Sequence, residues 1–206
     1  FIISAPSGSG KSTLVQRLLS TVPELIFSIS YTTRSPRGKE KNGEHYFFVD
    51  RDEFQRMIDA GEFLEHAVLF GKDMYGTARR FLDEARRLGY DLVLDIDVQG
   101  AEQMKQRLPE AASVFILPPS RQALQERLRR RGEDSEEVIE RRLRRAVREI
   151  ENYPKYDYVI INDDRERAGE RLCAIVLGTR WKKRHDGAAT DPQVERWFQL
   201  AGGCLT

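Results

Sequence analysis

The sequence predicts an α/β domain of three layers, with a parallel core sheet between helices, a small mixed-sheet insertion and a helical lid. Three observations lead there. Residues 1–4 are an apolar run that breaks into a Ser/Gly turn and resumes as Leu14-Val15-Gln16-Arg17-Leu18-Leu19 with helical spacing. From residue 78 onward, apolar strand-like runs alternate with helical stretches, the rhythm of a parallel sheet covered on both faces. Between these, residues 30–77 carry strand-like runs joined by short turns instead of crossover helices, which marks a separate mixed sheet.

The first turn reads Ser4-Ala5-Pro6-Ser7-Gly8-Ser9-Gly10-Lys11-Ser12-Thr13. Strand, Gly-rich loop, Lys-Ser and helix follow in the order of a P-loop, with Ala5 standing for the first Gly of G-x-x-x-x-G-K-[ST]. Such a loop turns its backbone N–H groups inward as an anion cradle at the positive end of the helix dipole. Residues Ala5, Pro6, Ser7, Gly8, Ser9, Gly10, Lys11, Ser12 and Thr13 are therefore expected to bind a nucleoside triphosphate. Lys11 reaches the β- and γ-phosphates and the Ser12 hydroxyl ligates Mg²⁺. The fold class is thus a P-loop NTPase, and the competing reading is an ordinary helix start after a Ser/Gly turn.

Taken in order, residues 25–30 read as a second core strand, followed by Tyr31-Thr32-Thr33-Arg34-Ser35-Pro36-Arg37-Gly38, too polar for a core. Residues 44–49 read as a strand, 50–59 as a helix ended by Gly61, 63–70 as a strand and 71–77 as a turn. Residues 78–88 are helical and close at Gly89. The run 92–97 is a buried strand carrying Asp95 and Asp97 at its C-terminal end. A helix over 98–108, a strand over 113–117 and a helix over 121–131 follow. The next helix opens at Asp134-Ser135 with Glu137 in capping-box spacing. Residues 158–162 are the last strand and 165–177 the last helix. The division is 1–29, 78–120 and 151–181 for the core, 30–77 for the insertion, 121–150 for the lid, and 182–206 for a tail of unassigned role. In open parallel sheets ligands bind beyond the C-terminal strand ends, where Ala5, Ser30, Asp95, Asp97 and Asn162 fall.

Composition narrows the partners. Lys+Arg 34 against Asp+Glu 33 leaves a net charge of +1, so no global field attracts nucleic acid or an anionic membrane. No apolar run approaches the roughly 20 residues that a membrane helix needs. The 2 cysteines, Cys173 and Cys204, form no disulfide framework, which points to a reducing compartment and a cytoplasmic protein. Because the chain opens inside a strand, residues are expected to precede Phe1.

Three further groups carry chemistry. Arg34 and Arg37 with Tyr46 and Tyr75 supply two guanidinium forks and two phenols, a set suited to a second phosphate; solvated loop arginines are the alternative. Glu65 and Asp97 offer paired acceptors to the N1–H and N2–H₂ donors of guanine, which adenine cannot match; Glu65 can also be read as the outward residue of an alternating strand. Asp95 ends its strand as a Walker-B-like ligand of Mg²⁺ or its water shell. Finally, Arg127, Arg129, Arg130 and Arg131, then Arg141, Arg142, Arg144, Arg145 and Arg148, flank Gly132. Most suit solvated helix faces with i,i+4 pairs such as Glu140 with Arg144, and a minority suit a closing lid over transferring phosphate.

Together, Ser-Ala-Pro-Ser-Gly-Ser-Gly-Lys-Ser-Thr, Ser-Ile-Ser-Tyr-Thr-Thr-Arg-Ser-Pro-Arg, Gly-Glu-His-Tyr-Phe-Phe-Val, Met-Tyr-Gly-Thr, Leu-Asp-Ile-Asp-Val-Gln-Gly and Ile-Asn-Asp-Asp resemble the guanylate kinases in order and spacing over residues 1–180. The resemblance implies ATP as co-substrate with Mg²⁺, GMP as acceptor, and direct transfer without an enzyme-bound intermediate. It implies that Arg34, Arg37, Tyr46 and Tyr75 hold the GMP phosphate, and that Ser30, Glu65, Thr77 and Asp97 sit at guanine. It also implies that Asn162 belongs with the ATP site and that Arg127, Arg131 and Arg142 reach ATP phosphates as catalytic lid residues beside Lys11. The chain departs from the family at Gly38-Lys39, where the Gly usually comes second, and between Gly71 and Tyr75, which are one residue further apart. The rival readings are another nucleoside monophosphate kinase, a kinase of a phosphorylated ribose, and a silent module that holds a peptide in the GMP groove.

Overall fold

The computed structural model describes residues 1–69, 73–130 and 135–186. Among these, two sheets form. The first has the order β2-β7-β1-β8-β9 and is parallel throughout, from β1 (Ile2–Ser4), β2 (Leu25–Ser28), β7 (Asp91–Asp95), β8 (Ser113–Leu117) and β9 (Tyr158–Ile161). Its central strands are apolar at consecutive positions because both faces are covered. Ile3, Val93, Val114 and Ile116 pack against α1 (Lys11–Thr21) and α7 (Arg165–Asp186) through Leu14, Leu18, Leu172 and Val176. Their neighbours Ile2, Leu92 and Leu94 point the other way, onto Ala85 of α3 (Arg80–Leu88) and Met104 of α4 (Val98–Arg107). The period-2 alternation of side chains thus feeds two cores from one strand, and each fully buried Ile or Leu contributes about 1.5–3 kcal/mol.

The second sheet has the order β4-β3-β6-β5 and is mixed: β3 (Tyr31–Thr32) runs parallel to β4 (Phe47–Phe48), while β6 (Asp73–Ala78) is antiparallel to both β3 and β5 (Phe63–Leu69). Its own core is Phe54, Met57 and Phe63, with the rings of Phe54 and Phe63 stacked at 4.6 Å. α2 (Arg51–Asp59) supplies Phe54 and Met57, and starts where the Asp50 carboxylate accepts the N–H of Glu53 at 2.7 Å. Two helices, α5 (Arg121–Arg130) and α6 (Glu136–Ile150), form a small apolar unit of Leu124, Leu128, Ile139, Leu143 and Ala146.

Several elements differ from the sequence reading, among them β3: Tyr31 and Thr32 belong to the stretch expected to be too polar for a core, yet they pair with β4 and β6 and Thr32 is buried, its hydroxyl accepting from the Arg34 N–H. The expected turn over 71–77 contains strand β6, which pairs Thr77 with Glu65 and Tyr75 with Ala67. Asp and Gly are poor strand formers, so Asp73-Met74-Tyr75-Gly76 reads as a turn locally, and pairing with β5 overrides that preference. The expected strand over 44–49 shortens to Phe47–Phe48, since Asn42 takes the Phe48 N–H through its side chain at 2.8 Å. The cap of α6 is Ser135, whose hydroxyl accepts from Val138, so Glu137 is not in capping-box register. The last helix runs beyond Leu177 to Asp186, since a helical Gly such as Gly178 costs only about 1 kcal/mol relative to Ala.

Candidate active site

The loop between β1 and α1 is shaped by two glycines in the left-handed region, Gly8 at φ 92° and Gly10 at φ 89°. Gly10 is required twice, because a Cβ there would lie 2.5 Å from the Asn162 side-chain nitrogen. That nitrogen donates to the Ser9 carbonyl at 2.7 Å, and Arg127 donates to the same carbonyl at 3.3 Å and to the Asn162 carbonyl at 2.9 Å. The loop is therefore braced from behind by β9 and α5. Gly10 caps α1 without a side-chain bond, which leaves the first-turn N–H groups for an anion.

In front of the loop lies a cleft of about 330 Å³. Ala5, Pro6, Ser7, Gly8, Gly10, Lys11, Ser12 and Thr13 line one side, and Arg34, Arg37, Tyr46 and Tyr75 face them from the mixed sheet. Ser30, Glu65, Asp95, Asp97 and Arg142, also expected from sequence, line the cleft too. Ser9, Thr77, Asn162 and Arg127 stand behind this lining, each bonded to it or part of its backbone. Arg131 lies outside the described residues. Ala67, Ile96, Arg145 and Glu149 also line the cleft. Of these, Arg145 and Glu149 read as a solvated i,i+4 pair on α6, and only the packing of that helix turns them inward.

At the centre, Lys11 Nζ pairs with Asp95 and donates to the Ile96 carbonyl at 3.4 Å. Burial penalises this ammonium, yet the Asp95 carboxylate more than offsets the penalty and holds its pKa above the ordinary lysine value. Lys11 is charged throughout the neutral range. Ser12 and Asp95 present hard oxygens to the same cleft, the donor type that Mg²⁺ takes. Among the described residues no cluster of three or more acidic, His or Cys side chains forms a metal site.

In the mixed sheet, Arg34 lies over the Tyr46 ring at 4.8 Å and donates from Nε to the Tyr75 hydroxyl at 3.0 Å. The Tyr46 hydroxyl stays protonated as a donor, its pKa raised first by burial and then by the Asp95 charge. Gly71 and Lys72 lie outside the described residues; Tyr75 itself faces the cleft, and β6 pairs in register with β3 at Thr32 and Tyr75.

At the far end, Glu65 is 4% exposed and accepts from Thr77 Oγ1 at 2.6 Å. Burial pushes its pKa up to about 7, against the donated bond from Thr77 and with the Asp97 charge adding to the rise. Near neutrality the unliganded group is therefore close to its midpoint. Asp97 caps α4 with Oδ1, which accepts from Gly100 N at 2.9 Å. Its Oδ2 is buried without a hydrogen bond, 3.8 Å from Arg145. A buried, unbonded acceptor in a cleft is a place for a ligand donor. Away from the cleft, Arg129 with Glu136 and Arg144 with Glu140 are exposed pairs, as most of the arginine-rich stretch is expected to be.

A phosphate loop facing a second anion pocket across one cleft, on a parallel sheet, defines a P-loop nucleotide kinase. Residues 1–177 match the family model described as guanylate kinase, and the chain belongs to that family. It is 59% identical over 186 residues to a guanylate kinase of Koribacter versatilis (strain Ellin345), covering 89% of this chain and 79% of that protein. To a guanylate kinase of Escherichia coli (strain K12) it is 51% identical over 193 residues, covering 90% and 93%. The crystal structure of guanylate kinase from Anaplasma phagocytophilum aligns with a TM-score of 0.68 at 37% identity, covering 86% of this chain and 83% of that one.

Proposed function

We propose that this chain transfers the γ-phosphoryl group of ATP to GMP or dGMP, giving ADP and GDP or dGDP. The observation that carries the reading is the layout of one cleft: phosphate loop and Lys11 on one wall, Arg37, Tyr46 and Tyr75 on the other, Glu65 and Asp97 at the end. An oxygen of the GMP phosphate attacks the γ-phosphorus in line as the bond to the β-phosphate oxygen breaks, and ADP departs. No covalent enzyme intermediate is needed, because the acceptor phosphate is itself the nucleophile. Lys11 leaves Asp95 to meet the β- and γ-oxygens. Ser12 and Asp95 are the residues that would hold Mg²⁺, which would supply positive charge to offset that of the phosphates.

Asp97 Oδ2 and the Glu65 carboxylate accept from N1–H and N2–H₂, with Ser30 and Thr77 supporting them. Residues 121–150 act as the lid and 30–77 as the GMP-binding part, on a core of 1–29, 78–120 and 151–181. Within the lid, Arg142 closes over the transferring group, joined by Arg127 and Arg131. The paucity of cysteine and the P-loop chemistry support a cytoplasmic enzyme of purine nucleotide metabolism.

The test is a coupled ADP-release assay with ATP and Mg²⁺, offering GMP, dGMP, AMP, CMP and UMP in parallel. Turnover with GMP and dGMP alone is expected. Equal turnover with AMP would remove the base assignment, and silence with every monophosphate from protein that binds GMP would favour the interaction module.

A further inference from the structure

We propose that Glu40 is a positioning residue that, from outside the cleft, orients both Arg34 and Arg37 toward the acceptor phosphate. The proposal rests on the reading of this pocket as the GMP phosphate site. A guanidinium has five N–H donors. In Arg34, Nε donates to Tyr75, one terminal nitrogen donates to Glu40 Oε2 at 2.6 Å and to the Ser35 carbonyl at 2.9 Å, and the other donates to Glu40 Oε1 at 2.7 Å. Four of five donors are thus committed to the protein, and a single N–H remains.

The same carboxylate reaches further. Glu40 Oε2 also accepts from the backbone N–H of Arg37 at 2.8 Å, so one side chain fixes both arginines. The Arg37 guanidinium makes no hydrogen bond among the described residues, and it lines the cleft. Arg34 also lines the cleft, whereas Glu40 does not. The Glu40 carboxylate therefore stands behind the Arg34 guanidinium and does not occupy the place of a phosphate. Geometry of this kind positions an arginine; it does not compete with substrate.

Charge follows the same pattern. Glu40 is held ionised, its pKa lowered first by the Arg34 bond, so it cancels one of the two cationic charges at the pocket. Arg34 stays a cation, held over the Tyr46 ring with its charge balanced by Glu40, while the Arg37 guanidinium keeps its full set of donors for the phosphate. The turn at Gly38 makes the reach possible: its φ of 55° folds the chain back so that Glu40 N–H meets the Arg37 carbonyl at 3.0 Å.

The experiment compares wild type with Glu40→Gln by titration calorimetry with GMP and with guanosine, and by steady-state kinetics with each substrate varied. Gln keeps the shape but presents an NH₂ to a donor, so one bond to Arg34 is lost and the pair loses its charge. GMP affinity is expected to fall about tenfold, with guanosine affinity and the KM for ATP unchanged and kcat within about threefold. Equal loss for GMP and guanosine would reduce Glu40 to a structural role. Tighter GMP binding would make it a competitor for the phosphate. Unchanged GMP affinity in a variant that binds guanosine normally would also overturn the proposal, while leaving the reading of the site intact. Failure of wild type itself to bind GMP would overturn that reading, and the proposal with it.

Discussion

Glu65 lies against the bare backbone of Gly100: a Cβ on Gly100 would fall 2.6 Å from Glu65 Oε2 and 3.0 Å from its Cδ. The first turn of α4 and the middle of β5 can approach so closely only because that residue has no side chain. The consequence is that the base end of the cleft is built by one glycine as much as by its two carboxylates.

Gly100→Ala tests this. In an ordinary helix position the change stabilises by up to about 1 kcal/mol. Here the methyl group displaces Glu65, so the KM for GMP is expected to rise at least about tenfold with the KM for ATP unchanged, and the melting temperature should not increase. Unaltered GMP kinetics would show that Glu65 does not meet the base.

The second prediction concerns pH. Guanine donors favour the ionised Glu65, whose pKa in the free protein is pushed up to about 7. GMP affinity should therefore weaken about fivefold between pH 7 and pH 6, and Glu65→Gln should bind GMP more weakly and lose that dependence. For stability the sign is opposite. The folded state holds this proton more tightly than the unfolded chain, so the unliganded protein is most favoured by Glu65 below the ordinary carboxylate range. It loses about 3 kcal/mol of that as pH rises to 7 and beyond. Glu65→Gln should remove the loss, measured as urea midpoints at pH 5 and pH 8. A midpoint difference as large in the variant as in wild type would locate the effect elsewhere.

Much of this was legible in the chain. Runs such as Leu92-Val93-Leu94 announce strands buried on both faces, and only a phosphate loop needs Gly8 and Gly10 beside Lys11 and Ser12. What escaped is long-range. Strand β6 exists because Asp73–Ala78 finds a partner in β5, which no local propensity foretells. Glu40 looks like one charge among several in a polar turn until the fold lays it against Arg34, and Glu149 reads as a helix-surface partner of Arg145 until α6 packs over Asp97. Asn162, expected at the ATP site from its place at a strand end, holds the phosphate loop through its side chain, a bond that only the fold brings about.

The third prediction follows from the ion pair of Lys11 and Asp95, whose side chains are 20% and 19% exposed. Lys11→Ala should lower turnover by at least about a thousandfold while GMP still binds, since the lysine serves charge that develops between the two substrates. It also strands a partly buried carboxylate at a cost of about 1–3 kcal/mol, visible in thermal unfolding. Turnover near that of wild type would remove Lys11 from the reaction.

The last prediction separates bracing from binding at Asn162. Its side-chain nitrogen holds the Ser9 carbonyl at 2.7 Å and fills the space that a side chain on Gly10 would need. Asn162→Ala removes that bond but keeps the backbone carbonyl that Arg127 bonds at 2.9 Å, so α5 stays attached while the loop loosens. Stability should fall by about 1 kcal/mol, the ordinary value of one hydrogen bond. The KM for ATP should rise about tenfold, because loop N–H groups that are no longer pre-aligned must be ordered when the phosphates bind. GMP meets none of these atoms, so its affinity, read by calorimetry without ATP, should be unchanged. A parallel loss of ATP and GMP binding would mean that Asn162 supports the whole sheet end, and that the loop is not separately braced.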